Sequence, residues 1–99
     1  MAKINWTLEA ELSLREIYDY TVEKNPVAAE RLLDGILAKA DLLASFPEIG
    51  ARREQPHHHI RILLYGHFKI PYLIKPDSNI DILGVFHSAM DTDRFFREL

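Results

Sequence analysis

The stretch IRILLYGHFKIPYLIKPDSNIDILGVFH, Ile60 to His87, decides the fold. It holds three apolar runs, Ile60 to Tyr65, Phe68 to Lys75 and Ile80 to His87, separated by turn chemistry at Gly66-His67 and at Pro76-Asp77-Ser78-Asn79. The pattern predicts a three-stranded antiparallel meander. Gly66 falls at the first central position of a type II′ two-residue turn, where a positive φ costs glycine little. No run alternates strictly: Ile62, Leu63 and Leu64 are consecutive, and Ile82, Leu83, Val85 and Phe86 offer apolar side chains to both faces. Both faces of the sheet therefore need cover. Pro71 removes a ladder donor from the middle strand, which points to a bulge.

Working outward, Ile4 and Trp6 alternate in a short strand over Lys3 to Thr7. Thr7 then serves as N-cap, and Glu9 and Glu11 suit the positive end of a helix dipole. Ala10, Leu14, Ile17, Tyr18 and Thr21 recur at helical spacing, and this helix ends near Lys24. Asn25-Pro26 both stops it and starts a second one, since Asn caps well and Pro is tolerated at the first helical position. Ala29, Leu32, Leu33, Ile36, Leu37, Ala40 and Leu43 form the apolar stripe of the second helix. Gly35 within it costs about 1 kcal/mol relative to Ala, so it marks close packing. Ser45 to Gly50 closes the helix, and Arg52 and Arg53 are placed in the loop that follows. Asp91 caps a final short helix in which Phe95 and Phe96 are either an anchor onto the body or an exposed patch. The expected architecture is α+β: an N-terminal strand, an antiparallel two-helix hairpin packed on the three-stranded meander, and a short C-terminal helix.

A length of 99 residues bounds the chain to one domain, 1–99, with a single shared core. Hydrophobic content of 47% and charged content of 27% lie in the ordinary range of soluble globular proteins and indicate neither disorder nor a membrane protein. The absence of cysteine removes disulfides and thiol chemistry, and the N-terminus lacks an apolar leader, so a cytoplasmic location is expected. The net charge of −3 is uneven: residues 1–50 sum to −4 and residues 51–99 to +1. The window Ala51 to Lys75 holds Arg52, Arg53, Arg61, Lys69 and Lys75 against Glu54 alone, with His57, His58, His59 and His67 able to add charge in mild acid. Such a window reads as a face for an acidic partner or for phosphates, or as a solvated surface. His57-His58-His59 lacks a recognised ligand spacing, and no metal or cofactor is expected.

The ordered set of residues resembles the RelE/ParE superfamily of toxins from bacterial toxin–antitoxin modules, its ParE branch above all. Trp6, Ala10, Leu14, Ile17 and Tyr20 resemble the family's first helix, and Asn25-Pro26 with Ala28-Ala29 its helix turn. Phe46-Pro47 with Gly50 resembles the following loop, and Arg61, Gly66, Tyr72, Ile82-Leu83, Val85 and His87 the strand signature. Where the family often carries arginines, Ser88-Ala89-Met90 intervenes. The resemblance implies a toxin that inhibits DNA gyrase by protein–protein binding and is neutralised by a cognate antitoxin, with no membrane partner and no direct DNA binding by the toxin alone. The alternatives are a RelE-like ribosome-dependent mRNA endonuclease, or a degenerate toxin that only binds its antitoxin.

An endonuclease needs a base, cations and an acid around the scissile phosphate, for which the candidates are Arg61, Lys69, Tyr72 and His87. With the turns as read, Arg61 lies opposite Tyr72 and Phe68 opposite His87, these four sharing a face with Tyr65 while Lys69 points away. Structural roles for Arg61 and His87 are equally open. The partner-binding expectation comprises Arg52, Arg53, Arg61, Lys69, Lys75, Phe95 and Phe96, beside a sheet face that the helical hairpin leaves uncovered.

Overall fold

The computed structural model describes residues 2–99. Strand β1 (Ile4–Trp6) leads into helix α1 (Leu8–Lys24), and helix α2 (Pro26–Asp41) runs on into a 3-10 turn at Leu42–Ala44. Strands β2 (Ala51–Arg53), β3 (Ile60–Tyr65), β4 (Phe68–Ile74), β5 (Ile80–Ile82) and β6 (Phe86–His87) follow, then helix α3 (Asp93–Arg97). The helix punctuation follows the residues that the sequence supplies. Thr7 Oγ1 accepts from Ala10 N–H at 3.2 Å and donates to the carbonyl of Ile82 at 2.7 Å, so one hydroxyl caps α1 and ties its start to β5. Asn25 Oδ1 accepts from Ala28 N–H at 3.1 Å, and Pro26 occupies the first turn of α2. Gly35 is where α2 meets the phenol of Tyr65: a Cβ there would fall on Tyr65 Oη and Cζ.

The sheet order is β1-β5-β4-β3-β2, with β6 also on β4. The central antiparallel strands form as the turns dictate, Tyr65 facing Phe68 across Gly66-His67, where Gly66 has φ +56°. Two features depart from the sequence expectation. Arg52 and Arg53 are not in a loop but in edge strand β2, where Arg52 opposes Arg61 and Arg53 opposes Ile60. The run Ile80 to His87 is not one strand but two, because the register slips by one residue: Tyr72 opposes Ile82, whereas Lys69 opposes Phe86.

Pro71 accounts for the slip. The N–H and C=O of one strand residue point to the same side, and the Pro71 carbonyl accepts from Leu83 N–H at 2.9 Å, so its missing donor faces the β5–β6 edge. The expected bulge thus lies in the partner strand, at Leu83 to Val85, while the β3–β4 ladder runs unbroken through Pro71 opposite Ile62. The bulge turns Val85 N–H away from the sheet. Ser13 Oγ, on α1, accepts it at 2.9 Å and donates to Ala10 C=O at 3.1 Å.

Strand alternation sorts the core into two clusters. Leu63, Ile70, Tyr72, Ile80, Ile82 and Val85 pack beneath the helices against Ala10, Leu14, Ile36, Ala40 and Leu43. Full burial of Ile36 and Leu43 is worth about 1.5–3 kcal/mol each. On the opposite face Ile60, Leu83 and Phe96 form a second cluster, flanked by Ile62, Leu73 and Phe95. The face expected to be uncovered is therefore partly roofed by α3.

The loop after α2 is fastened to the sheet by a polar clamp. Tyr72, fully buried, donates its hydroxyl proton to Pro47 C=O at 2.7 Å and accepts from Gly50 N–H at 3.0 Å. Its strand neighbour Arg61 donates Nη1 to Gly50 C=O at 2.8 Å and to Glu48 C=O at 3.2 Å. Burial raises the Tyr72 pKa above its ordinary 10.0, opposed by the Gly50 N–H and by Arg61.

Ser13→Ala strands the Val85 N–H, and against a small gain in helix propensity it is expected to cost about 1–2 kcal/mol in urea denaturation. An unchanged or higher midpoint would remove Ser13 from this role. Tyr72→Phe leaves Gly50 N–H and Pro47 C=O unpaired, for an expected loss of about 2 kcal/mol. Because the folded phenol holds its proton above the unfolded value, its contribution is complete at neutral pH and is lost as pH climbs through the folded pKa. Melting temperatures between about pH 9 and 11 should fall less steeply for Tyr72→Phe than for the natural chain. Parallel curves would contradict the assignment.

Candidate functional site

The four residues that could serve phosphodiester cleavage do not meet. Arg61 and Tyr72 oppose each other, and Phe68 opposes His87, as the turn chemistry implies. Three residues of β4, Lys69 to Pro71, lie between the two pairs, a four-position step of about 13 Å along the strand. Lys69 lies on the other face of β4, its Nζ donating to Met90 C=O at 2.8 Å. The Arg61 guanidinium and Tyr72 hydroxyl serve the clamp, and Arg61 Nε also donates to His59 Nε2 at 3.3 Å. His87 stacks on His67 with ring centroids 6.3 Å apart and meets Phe68 edge-on at 5.8 Å. Its Nδ1 accepts from Ala89 N–H at 3.3 Å.

The seven residues expected to bind a partner also divide. Phe96 is 1% exposed, so it is a core anchor and not a surface contact. Its ring carries the Arg53 guanidinium at 4.0 Å, and its carbonyl accepts from Gln55 Nε2 at 2.8 Å. Arg53 also pairs with Asp93 at 3.5 Å, closing β2 onto α3. Phe95 is half-buried and packs edge-on against Phe86 at 5.0 Å. With Arg61 in the clamp and Lys69 on Met90, Arg52 and Lys75 are the members of the basic window that reach a cleft, each beside a carboxylate: Arg52 to Glu54 at 3.8 Å and Lys75 to Asp81 at 3.4 Å.

Two clefts bracket the sheet. One, of about 690 Å³, runs between α1 and the β4–β6 end; Leu12, Ile17, Tyr20, Phe68, His87 and Met90 line it, with Glu9 and Glu16 on the helix side. Leu12 is 52% exposed, Tyr20 67% and Met90 52%. Sequence reasoning passed over this groove because Leu12 and Tyr20 lie off the buried stripe of α1. The signal was there: large apolar residues at positions that the helix period turns outward. The second cleft, of about 530 Å³, lies between the β2–β3 loop and the end of β4 and is lined by Arg52, His57, His58, His59 and Lys75 over Leu73, Ile74 and Pro76.

Comparison with known proteins agrees with this architecture. The family described as ParE toxin of type II toxin–antitoxin system, parDE, matches residues 4–92. Toxin RelE2 of Caulobacter vibrioides is 40% identical over 92 residues, covering 90% of this chain and 98% of that one. Toxin ParE1 of Mycobacterium tuberculosis is 31% identical over 86 residues, covering 86% and 88%. A solved structure described as the chromosomal ParDE system from P. aeruginosa superposes with a TM-score of 0.70 at 28% identity, covering 88% of this chain and 96% of that one. From a strand, a helical hairpin and a clamped, bulged sheet through to the match along nearly its whole length, the chain belongs to the ParE toxin family of type II toxin–antitoxin systems within the RelE/ParE superfamily.

Proposed function

We propose that this toxin acts by binding: it inhibits DNA gyrase through protein–protein contact in the cytoplasm and is held silent by a cognate antitoxin. The observation that carries this reading is the dispersal of Arg61, Lys69, Tyr72 and His87. Transition-state stabilisation of a phosphoryl centre needs preorganised donors within hydrogen-bond reach of one point. Here two of the four side chains clamp a loop, one is turned to the opposite face, and His87 lies about 13 Å along the sheet from the clamp. What the chain does offer is apolar surface on a rigid helix, at Leu12 and Tyr20 beside Met90, which suits a polypeptide partner. An antitoxin segment that folds on this groove silences the toxin by occupying the same surface.

The likeness to a protein named RelE2 favours the second reading, mRNA cleavage on ribosomes. The two part cleanly. Purified toxin should inhibit gyrase supercoiling, and its induction should give filamentous cells with bulk mRNA intact. Tyr20→Glu, on the exposed rim, should weaken inhibition at least tenfold with the melting temperature unchanged, whereas Lys69→Ala should leave it intact. Codon-phased mRNA cleavage that Lys69→Ala or His87→Ala abolishes, with supercoiling unaffected, would replace this reading by the enzymatic one.

A further inference from the structure

We propose that the cleft between the β2–β3 loop and the end of β4 is a binding site for a small polyphosphate-bearing ligand of the nucleotide class. The chain as a whole is acidic, at −3. Yet every ionisable side chain lining this cleft is basic: Arg52 from β2, His57, His58 and His59 from the loop, and Lys75 at the end of β4. The nearest carboxylates, Glu54 and Asp81, balance Arg52 and Lys75 from outside the lining, at 3.8 and 3.4 Å. Asp77 is occupied within its own turn, accepting from Asn79 N–H at 2.9 Å. His59 is tied to Arg61, and the exposed rings of His57 and His58, without a hydrogen-bond partner among the described residues, lie beside Arg52 and Lys75 along the cleft.

Convergence selects the ligand. Donors that close on one concavity match charge packed onto adjoining groups, as in a di- or triphosphate, whereas the spaced carboxylates of an acidic peptide are met best by an extended stripe. Size argues the same way, because about 530 Å³ is far more than one oxyanion fills and lies in the range of small-molecule sites. Part of the remaining lining is apolar: Leu73 and Ile74, from the two faces of β4, and Pro76 after it offer contacts for the edge and face of a base. His57 reaches the cleft from a left-handed backbone, φ +65°, a conformation for which histidine is among the more tolerant side chains. This site is distinct from the α1 groove and does not depend on which target the toxin inhibits.

The test is calorimetric titration of the purified chain with pyrophosphate, ATP and a Glu-rich peptide, at roughly 50 and 200 mM salt. Pyrophosphate and ATP should compete for one site, ATP should bind several-fold tighter through contacts with Leu73, Ile74 and Pro76, and both should weaken about tenfold at the higher salt. The double variant Arg52→Gln with His58→Asn should lose at least tenfold in affinity, and Lys75→Gln alone should do the same. Arg15→Gln, on the far side of the helical hairpin, should change nothing. Thermal melts establish that each variant is folded, and backbone amide shifts at His57 and Leu73 locate the ligand. Absence of saturable binding at millimolar pyrophosphate and ATP would overturn the proposal. So would affinities that the cleft variants leave unchanged, or binding of the peptide alone.

Discussion

A single buried phenol, that of Tyr72, fastens the loop after α2 to the sheet. The loop that returns the chain from α2 to the sheet runs from half-buried Pro47 to buried Gly50, where polar backbone groups left unpaired cost about 1–3 kcal/mol each. Tyr72 and Arg61, opposed across β3 and β4, satisfy four of them: the carbonyls of Pro47, Glu48 and Gly50 and the N–H of Gly50. The clamp therefore consumes the two side chains that look most chemically able in the sequence. A tyrosine that donates to one carbonyl and accepts from one amide, in a site where burial favours its neutral form, is fixed as structure.

Much of the architecture is legible because each local signal has one cheap solution. Asn25-Pro26 can only end one helix and begin another, and Gly66-His67 can only close a tight hairpin. Gly35 reads as a close approach, and the approaching group is Tyr65. What the residues alone do not disclose is which strand absorbs a local fault. Pro71 announces a missing donor, but the side of the ladder that lacks it depends on the direction of the Pro71 carbonyl, a property of the paired sheet. The slip it causes splits Ile80 to His87 into β5 and β6 and hands Val85 N–H to Ser13, more than seventy residues away in sequence.

The basic window shows a second limit. Counting Arg52, Arg53, Arg61, Lys69 and Lys75 along the chain suggests one patch, but a strand sends consecutive side chains to opposite faces. Arg52 turns to the cleft while Arg53 turns under, onto Phe96. Arg61 and Lys69 likewise part to the two faces of the sheet. Three residues of β2 with two adjacent arginines carry no strand signature, since their pairing rests on Ile60 to Ile62 of the neighbouring strand. Phe95-Phe96 was ambiguous for a related reason: only the second apolar face of the meander, with Ile60, Leu73 and Leu83, decides that Phe96 is core.

The proposed binding role draws on these allocations. Arg61, Lys69 and Tyr72 are bonded to backbone carbonyls, while several large apolar side chains of α1 stay in solvent. The same helix anchors the core through Ala10 and Leu14 and presents Leu8, Leu12 and Tyr20 outward, 70%, 52% and 67% exposed. With its buried side seated beneath the sheet's bulge and its start fixed by Thr7, α1 is ordered before any partner arrives. The entropy of association then falls mainly on the incoming segment, the division expected of a folded toxin and an antitoxin tail that orders as it binds.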